Sequence, residues 1–385
     1  MKRIGILSCY GWLLKTGNYG TLLQNYALQQ TVMSLGYESV WVAVAPEKKT
    51  KLEKVIYFLL LPHKIINGLI QVLKKKKDNG ADIGQEIDFH EFLEQYVPHT
   101  PYAPLSTLLK DANVKSLSAW IVGSDNVWTV PGDTYFLGFV PESVPKIAYA
   151  ASAPWGHLAS DWSAKAACTL KRLNAISVRE QDGVKFVSEA GADASVVLDP
   201  TLLLQAEDYE EVMSSGQMKQ SYVFAYFVNP QDADDLRLQE IYDYAKEIDA
   251  DVKVSAIQGA EKSVPPEYLV TLTPSEWLQH IRDAECVVTN SFHGMVFSII
   301  FKKPFAVVMQ TGTTSQGNSR FFSLLSQLGL EKRICQRNET IETILSSSMD
   351  WIKCDEVLAS LRCSSLDFLS KSLKIKALSH QIDAD

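Results

Sequence analysis

Cys286-Val-Val-Thr-Asn-Ser-Phe-His-Gly-Met-Val-Phe-Ser-Ile-Ile300 decides how this chain folds. An apolar run over 286–289 stops at Asn290-Ser291, and a second apolar run opens after Gly294. The first has the composition of a parallel strand buried on both faces. The second is expected to form a helix over 295–301 that packs on the sheet. His293 then falls in the turn where the strand ends and the helix begins. In open α/β sheets the ligand crevice lies outside the carboxyl ends of the strands, and helix amides point into it. A lone histidine is usually structural, but this position makes His293 the first candidate for chemistry. His63, His99, His157 and His380 lie in helices or loops without polar company and support no such reading.

The same alternation extends in both directions. Strands are expected at 4–9, 39–44, 119–123, 147–152, 175–178 and 195–198, with helices at 21–35 and 181–189. Asp199-Pro200-Thr201 closes this set. A second set follows: strands at 222–227, 252–257, 286–289 and 305–308, with helices at 232–248, 274–284 and 295–301. Repeated strand–helix order means a parallel sheet covered on both faces. The expected fold class is therefore α/β, with two Rossmann-like domains and an interdomain cleft. Residues 1–205 form the first domain and 206–350 the second. The tail 351–385 reads as one or two helices crossing back onto the first domain.

Composition limits the function classes. A chain of 385 residues exceeds one ordinary core, and 46% hydrophobic with 21% charged residues fits a soluble globular enzyme. A net charge of −8 argues against a nucleic-acid partner, whose affinity would come mostly from neutralising phosphates. The cysteines at 9, 168, 286, 335, 354 and 363 form no Cys-x-x-Cys pair. Neither a disulfide framework nor a metal site is expected, and a reducing cytoplasm fits. Cys9, Cys168 and Cys286 read as small buried hydrophobes. Residues 1–9 are too short for a signal segment and read as the first strand.

The segment 48–77 stands apart, with an apolar middle and lysines at both ends, including Lys74 to Lys77. Pro62 interrupts it, so a spanning helix is not expected. A helical hairpin packed on its own domain or on a dimer partner is one reading. Peripheral contact with the inner face of a membrane is the other, since basic flanks meet anionic headgroups.

Several polar groups fall at the carboxyl ends of the expected strands. Gly17-Asn18-Tyr19-Gly20 joins the first strand to the first helix, where glycine lets backbone approach a ligand. Gly123-Ser124-Asp125-Asn126-Val127-Trp128 offers a polar triplet suited to sugar hydroxyls, or alternatively a helix cap. Arg179 ends a strand and suits bidentate grip of phosphate or carboxylate; a structural pair with Glu180 or Asp199 is the alternative. Arg320 precedes a helix over 321–328 and offers another anion contact, or again a cap.

Together these pieces resemble the polysaccharide pyruvyl transferase family. The resemblance is carried by Gly-Asn-Tyr-Gly-Thr-Leu-Leu-Gln-Asn-Tyr-Ala-Leu-Gln at 17–29, Val-Gly-Ser-Asp-Asn-Val-Trp at 122–128 and Ile-Ser-Val-Arg-Glu at 176–180. Val-Leu-Asp-Pro-Thr-Leu-Leu at 197–203 and Thr-Asn-Ser-Phe-His-Gly-Met-Val-Phe-Ser-Ile-Ile at 289–300 complete it. It implies a GT-B-like fold and transfer of pyruvate from phosphoenolpyruvate to a cell-surface saccharide as a ketal. Phosphoenolpyruvate would be a co-substrate, and no cofactor is implied. By position His293 matches the family's essential histidine, and Arg179 an arginine linked to the donor. Asn290, Ser291 and Arg320 are taken with the donor. Asn18, Tyr19, Gly20, Ser124, Asp125 and Trp128 are taken with the acceptor, which could be lipid-linked. Several members carry Arg-Leu-His where this chain has Ser291-Phe292-His293; Arg320 or Lys302 is the candidate replacement cation.

The chemistry suits these residues. A vinyl carbon must be protonated before a hydroxyl attacks, and a positioned acid performs that transfer. Two other readings stay open: a nucleotide-sugar glycosyltransferase on the same fold class, and a non-catalytic glycan-binding relative. The latter would lack converging cations around His293.

Overall fold

The alternating pattern resolves into two parallel sheets. The computed structural model describes residues 1–47, 88–129, 133–153, 163–230, 232–336 and 338–375. The strands, in chain order, are β1 Arg3–Leu7, β2 Glu38–Trp41, β3 Val44–Ala45, β4 Ala103–Pro104, β5 Ala119–Val122, β6 Lys146–Ala151, β7 Ala175–Val178 and β8 Ser195–Val196. Then come β9 Tyr222–Val228, β10 Asp251–Ile257, β11 Cys286–Thr289, β12 Phe305–Val308 and β13 Ile334–Cys335. The first sheet has six strands in the order β2-β1-β5-β6-β7-β8, and the second has five in the order β10-β9-β11-β12-β13. β3 and β4 form a small separate pair. β9 and β11 are buried along their whole lengths, as strands covered on both faces must be.

Local chemistry sets most boundaries. The Asn18 side chain accepts from the amides of Gly20 and Thr21, so the first long helix starts at Tyr19 and runs to Ser34. Thr273 and Glu276 form a capping box that opens the helix Pro274–Asp283. A helix expected over 232–248 instead begins at Leu238, because Arg237 takes a left-handed backbone, φ 52°, after a 3-10 turn at Asp234–Leu236. The helix after β11 spans Phe292–Ile300, earlier than the sequence suggested. Ser291 caps it by accepting from the Gly294 amide, which places His293 in its first turn.

The chain passes from the first sheet to the second between Val196 and Tyr222. One apolar cluster then runs through both halves, joining Leu22, Tyr26 and Leu202 to Trp277, Phe297 and Phe321. Tyr19 belongs to this layer: its ring stacks on Trp277 at 5.0 Å and its hydroxyl donates to the Leu272 carbonyl at 2.7 Å. The halves therefore meet over shared packing at this point, where an open groove was expected. The tail forms a single described helix, Trp351–Lys374, that crosses back to the first half. Arg362 donates to the Leu202 carbonyl at 2.8 Å, and Ser365 accepts from the Leu198 amide at 3.0 Å.

Other expectations are corrected or fall elsewhere. Cys168 is exposed, whereas Cys335 and Cys354 are buried beside Cys9 and Cys286 as buried thiols. The segment 48–77 lies outside the described residues. No described helix is long and apolar enough to cross a membrane.

Candidate functional site

Both sheets reverse their winding beside their first strand, between β1 and β5 in one half and between β9 and β11 in the other. Crevices form at such reversals, outside the carboxyl ends of the strands. The residues that follow β5 and β11 are Gly123–Asn126 and Asn290–His293, the two segments singled out in the sequence.

The first crevice is filled by polar side chains that satisfy one another. Gly123 has φ 116°, and a Cβ there would sit 2.1 Å from the Tyr149 carbonyl oxygen, so only glycine fits. Ser124 Oγ lies 3.2 Å from Asp199 Oδ2, and the Ser124 amide donates to Gln24 at 3.1 Å. Asp125 accepts from Thr21 Oγ1 at 2.7 Å. Glu180 accepts from Ser152 Oγ and from the Ala153 amide, each at 2.8 Å.

Asp199 is the centre of this network. Its Oδ1 accepts from the Thr201 amide and hydroxyl, and its Oδ2 receives Arg179 at 3.0 Å. His293 Nε2 lies 3.5 Å from the same oxygen. Burial pushes the Asp199 carboxyl up, but His293, Arg179 and the Thr201 hydroxyl outweigh it and hold the group well below the usual carboxylate range. Beside its bond to Asp199, Arg179 donates to Glu180 at 3.4 Å and to Asn126 at 3.5 Å. The structural pairing weighed for Arg179 is thus present. Burial works against its charge, and Glu180, Asp199 and Asp125 more than restore it.

His293 comes from the second half and meets the first half twice. Its ring packs against Gly20, where a Cβ would fall 2.0 Å from Nδ1. Gly20 therefore serves close approach of the imidazole to the helix Tyr19–Ser34. Beside it, Phe292 presents its ring to two guanidiniums, Arg179 at 4.6 Å and Arg320 at 5.8 Å. Burial and the neighbouring Arg179 push the Arg320 guanidinium down to about 10 despite three nearby carboxylates. Its Nε is sealed from solvent without a hydrogen-bond partner. Lys302 pairs instead with Asp355 on the exposed surface at 2.6 Å. Of the two candidate replacement cations, Arg320 is the one at the cluster. A cavity of about 40 Å³ adjoins, lined by Arg179, Asp199, Phe292, Leu202, Leu324 and Leu361. That volume holds a few water molecules and no sugar ring.

The remaining predicted residues have local work. Asn18 caps its helix, and Ser291 caps another. Trp128 is packed in the first half's core, stacked on Phe136 and Phe186, with its Nε1 donating to the Tyr135 carbonyl. It is buried in the 3-10 turn Val127–Thr129, packed with the first half's core and not with His293. Asn290 spans the second crevice, accepting from the Val228 amide at 2.8 Å and donating to the Val228 carbonyl at 2.9 Å. Asn290→Ala would leave both backbone groups buried and unpaired. Chemical denaturation should show a loss of about 2 kcal/mol or more; an unchanged midpoint would show that Asn290 does not secure this crevice. Sequence reasoning passed over Asp199 and Thr21 as functional residues. The signal for Asp199 was its place after a short strand, ahead of Pro200.

A family model described as polysaccharide pyruvyl transferase matches residues 18–310, well over half of the chain. The chain belongs to that family. All of the residues that meet at His293, apart from Arg320, lie within the matched span of this pyruvyl transferase family member. No curated protein matches the chain. Among solved structures, UDP-N-acetylglucosamine 2-epimerase from Rickettsia bellii is 9% identical with TM-score 0.51, covering 96% of this chain and 98% of that one. S. aureus MnaA, solved with UDP, is 8% identical with TM-score 0.51, covering 96% and 94%. At such identity the likeness concerns the fold alone, which is α/β with two Rossmann-like halves and GT-B-like.

Proposed function

We propose that this protein transfers pyruvate from phosphoenolpyruvate to a saccharide, forming a cyclic ketal. Family membership supports transfer of a pyruvyl group. The observation that carries the reading is the meeting of His293 with two guanidiniums at Phe292, one of them with an unpartnered buried nitrogen. Asp125, Glu180 and Asp199 already stand as counter-charges in this cluster, and the buried Arg320 nitrogen without a partner is a donor open to a further anion.

In the proposed reaction His293 delivers a proton to the vinyl carbon of the donor. One sugar hydroxyl oxygen bonds to the adjacent carbon, and phosphate departs from that carbon. A second hydroxyl of the same sugar closes the ring. The two hydroxyl protons replace the one given by His293 and the one taken by phosphate. Arg320 and Arg179 would hold the donor's anionic groups, and the amides of the helix Phe292–Ile300 would steady the leaving phosphate. Ser124, Asp125 and Gly20 belong to the acceptor side. The acceptor is a saccharide of a cell-surface polymer or its precursor, with a lipid-linked form included. The protein would then act in the cytoplasm.

The test is incubation of purified protein with phosphoenolpyruvate and a panel of saccharides, reading phosphate release and acceptor mass. Phosphate release that depends on acceptor, with mass gained by the sugar, is expected. Phosphoenolpyruvate should also raise the melting temperature. Stabilisation by UDP- or GDP-sugars without any by phosphoenolpyruvate would overturn the reading in favour of a nucleotide-sugar transferase.

A further inference from the structure

We infer that Asp199 is a positioning residue for His293, holding the imidazole by Nε2 so that Nδ1 is the nitrogen that exchanges a proton with substrate. This deepens the proposed function and rests on His293 being its acid.

The geometry is specific. Nε2 lies 3.5 Å from Asp199 Oδ2, is sealed from solvent and makes no hydrogen bond among the described residues. Catalytic hydrogen bonds are often long before substrate binds and tighten afterwards. The carboxylate cannot swing away to follow another partner. Thr201 holds Oδ1 through its amide at 3.1 Å and its hydroxyl at 2.7 Å, while Ser124 and Arg179 approach Oδ2 at 3.2 and 3.0 Å. Thr201 itself sits in the 3-10 turn Pro200–Leu202, which Asp199 caps. An anchor fixed at four points is suited to fix a ring that would otherwise rotate about its terminal torsion.

The nitrogen that carries the proton in a neutral imidazole is set by the hydrogen bond the other nitrogen makes. With Asp199 accepting at Nε2, that nitrogen carries the proton at rest. Nδ1 is left with the lone pair and takes up the proton that is passed on. Nδ1 is on the Gly20 side of the ring, where the two halves meet. Asp199 bears on chemistry without touching substrate, and Arg179 shares the same oxygen. Orientation of the acid and placement of the donor cation are thus tied to one carboxylate.

Nitrogen-15 NMR of histidine-labelled protein, with His293 assigned by its loss in His293→Ala, tests this without substrate. In the wild-type protein near neutral pH, His293 is expected in the Nε2–H form; a predominant Nδ1–H form overturns the inference. Asp199→Asn removes the charge and keeps the shape. It should mix the two tautomers and lower kcat about 100-fold, and raise KM for phosphoenolpyruvate as well, because Arg179 shares Asp199 Oδ2. In kcat, Asp199→Asn combined with His293→Ala should be no lower than His293→Ala alone. A tautomer unchanged in Asp199→Asn overturns the inference whatever the activity. Should Asp199→Asn fail to fold, the wild-type tautomer still decides. Absence of any pyruvyl transfer in the wild-type protein would strike the proposed reaction and leave the NMR result standing.

Discussion

His293→Ala is expected to abolish acceptor-dependent phosphate release, by about 10²–10⁴-fold, the range for loss of a positioned acid. The loss should fall on kcat, since the guanidiniums of Arg179 and Arg320 at Phe292 do not depend on the imidazole for their position. Folding should survive. The imidazole's ion pair is with Asp199, which keeps Arg179, Ser124 and Thr201 as partners. The variant should still be stabilised by phosphoenolpyruvate in a thermal scan. Full phosphate release by a well-folded His293→Ala protein would remove the central assignment.

Gly20→Ala is expected to damage both stability and activity. In an ordinary helix the change from glycine to alanine is favourable by about 1 kcal/mol. At Gly20 the sign reverses, because the new Cβ would lie 2.0 Å from His293 Nδ1 and 2.4 Å from its Cγ. Either the ring leaves Asp199 or the two halves separate along the Tyr19–Trp277 stack. Overpacking of this kind costs about 1–3 kcal/mol, and a shift of about 1 Å in a reacting group lowers the rate about 100-fold. The decisive comparison is a double-mutant cycle read by denaturation. In the His293→Ala background the space is free, so Gly20→Ala should become neutral or stabilising. Equal destabilisation in both backgrounds would show that the contact is not what requires glycine.

Much of the framework was legible because its signals are local. The strands β7 and β11 stop at the polar residues Arg179 and Asn290, and these set their bounds. The caps at Asn18, Thr273 and Ser291 act within a few residues, so the sequence contains both partners of each hydrogen bond. β13 has only two residues, Ile334–Cys335, too few for any periodicity to show. Arg237 broke an expected helix through a backbone angle that its residue type does not announce. Trp128 illustrates the ambiguity of aromatic residues beside polar ones: the same pattern serves a sugar platform and a core plug, and packing between Phe136 and Phe186 chose the core.

The linear order of residues was enough to establish an α/β chain of two parallel sheets and to put His293 at the carboxyl end of a strand. It also placed Arg179, Ser124 and Asp125 at strand ends in the other half. Which of these groups touch was decided only by the way the halves close on each other. Asp199 reaches His293, Gly20 lies against the imidazole, and Tyr19 stacks on Trp277, all across long separations in sequence. Periodicity reports which face of an element is buried, because that depends on neighbours a few residues away. It carries no information on the relative placement of two sheets, which depends on how side chains from both interlock once the chain has closed.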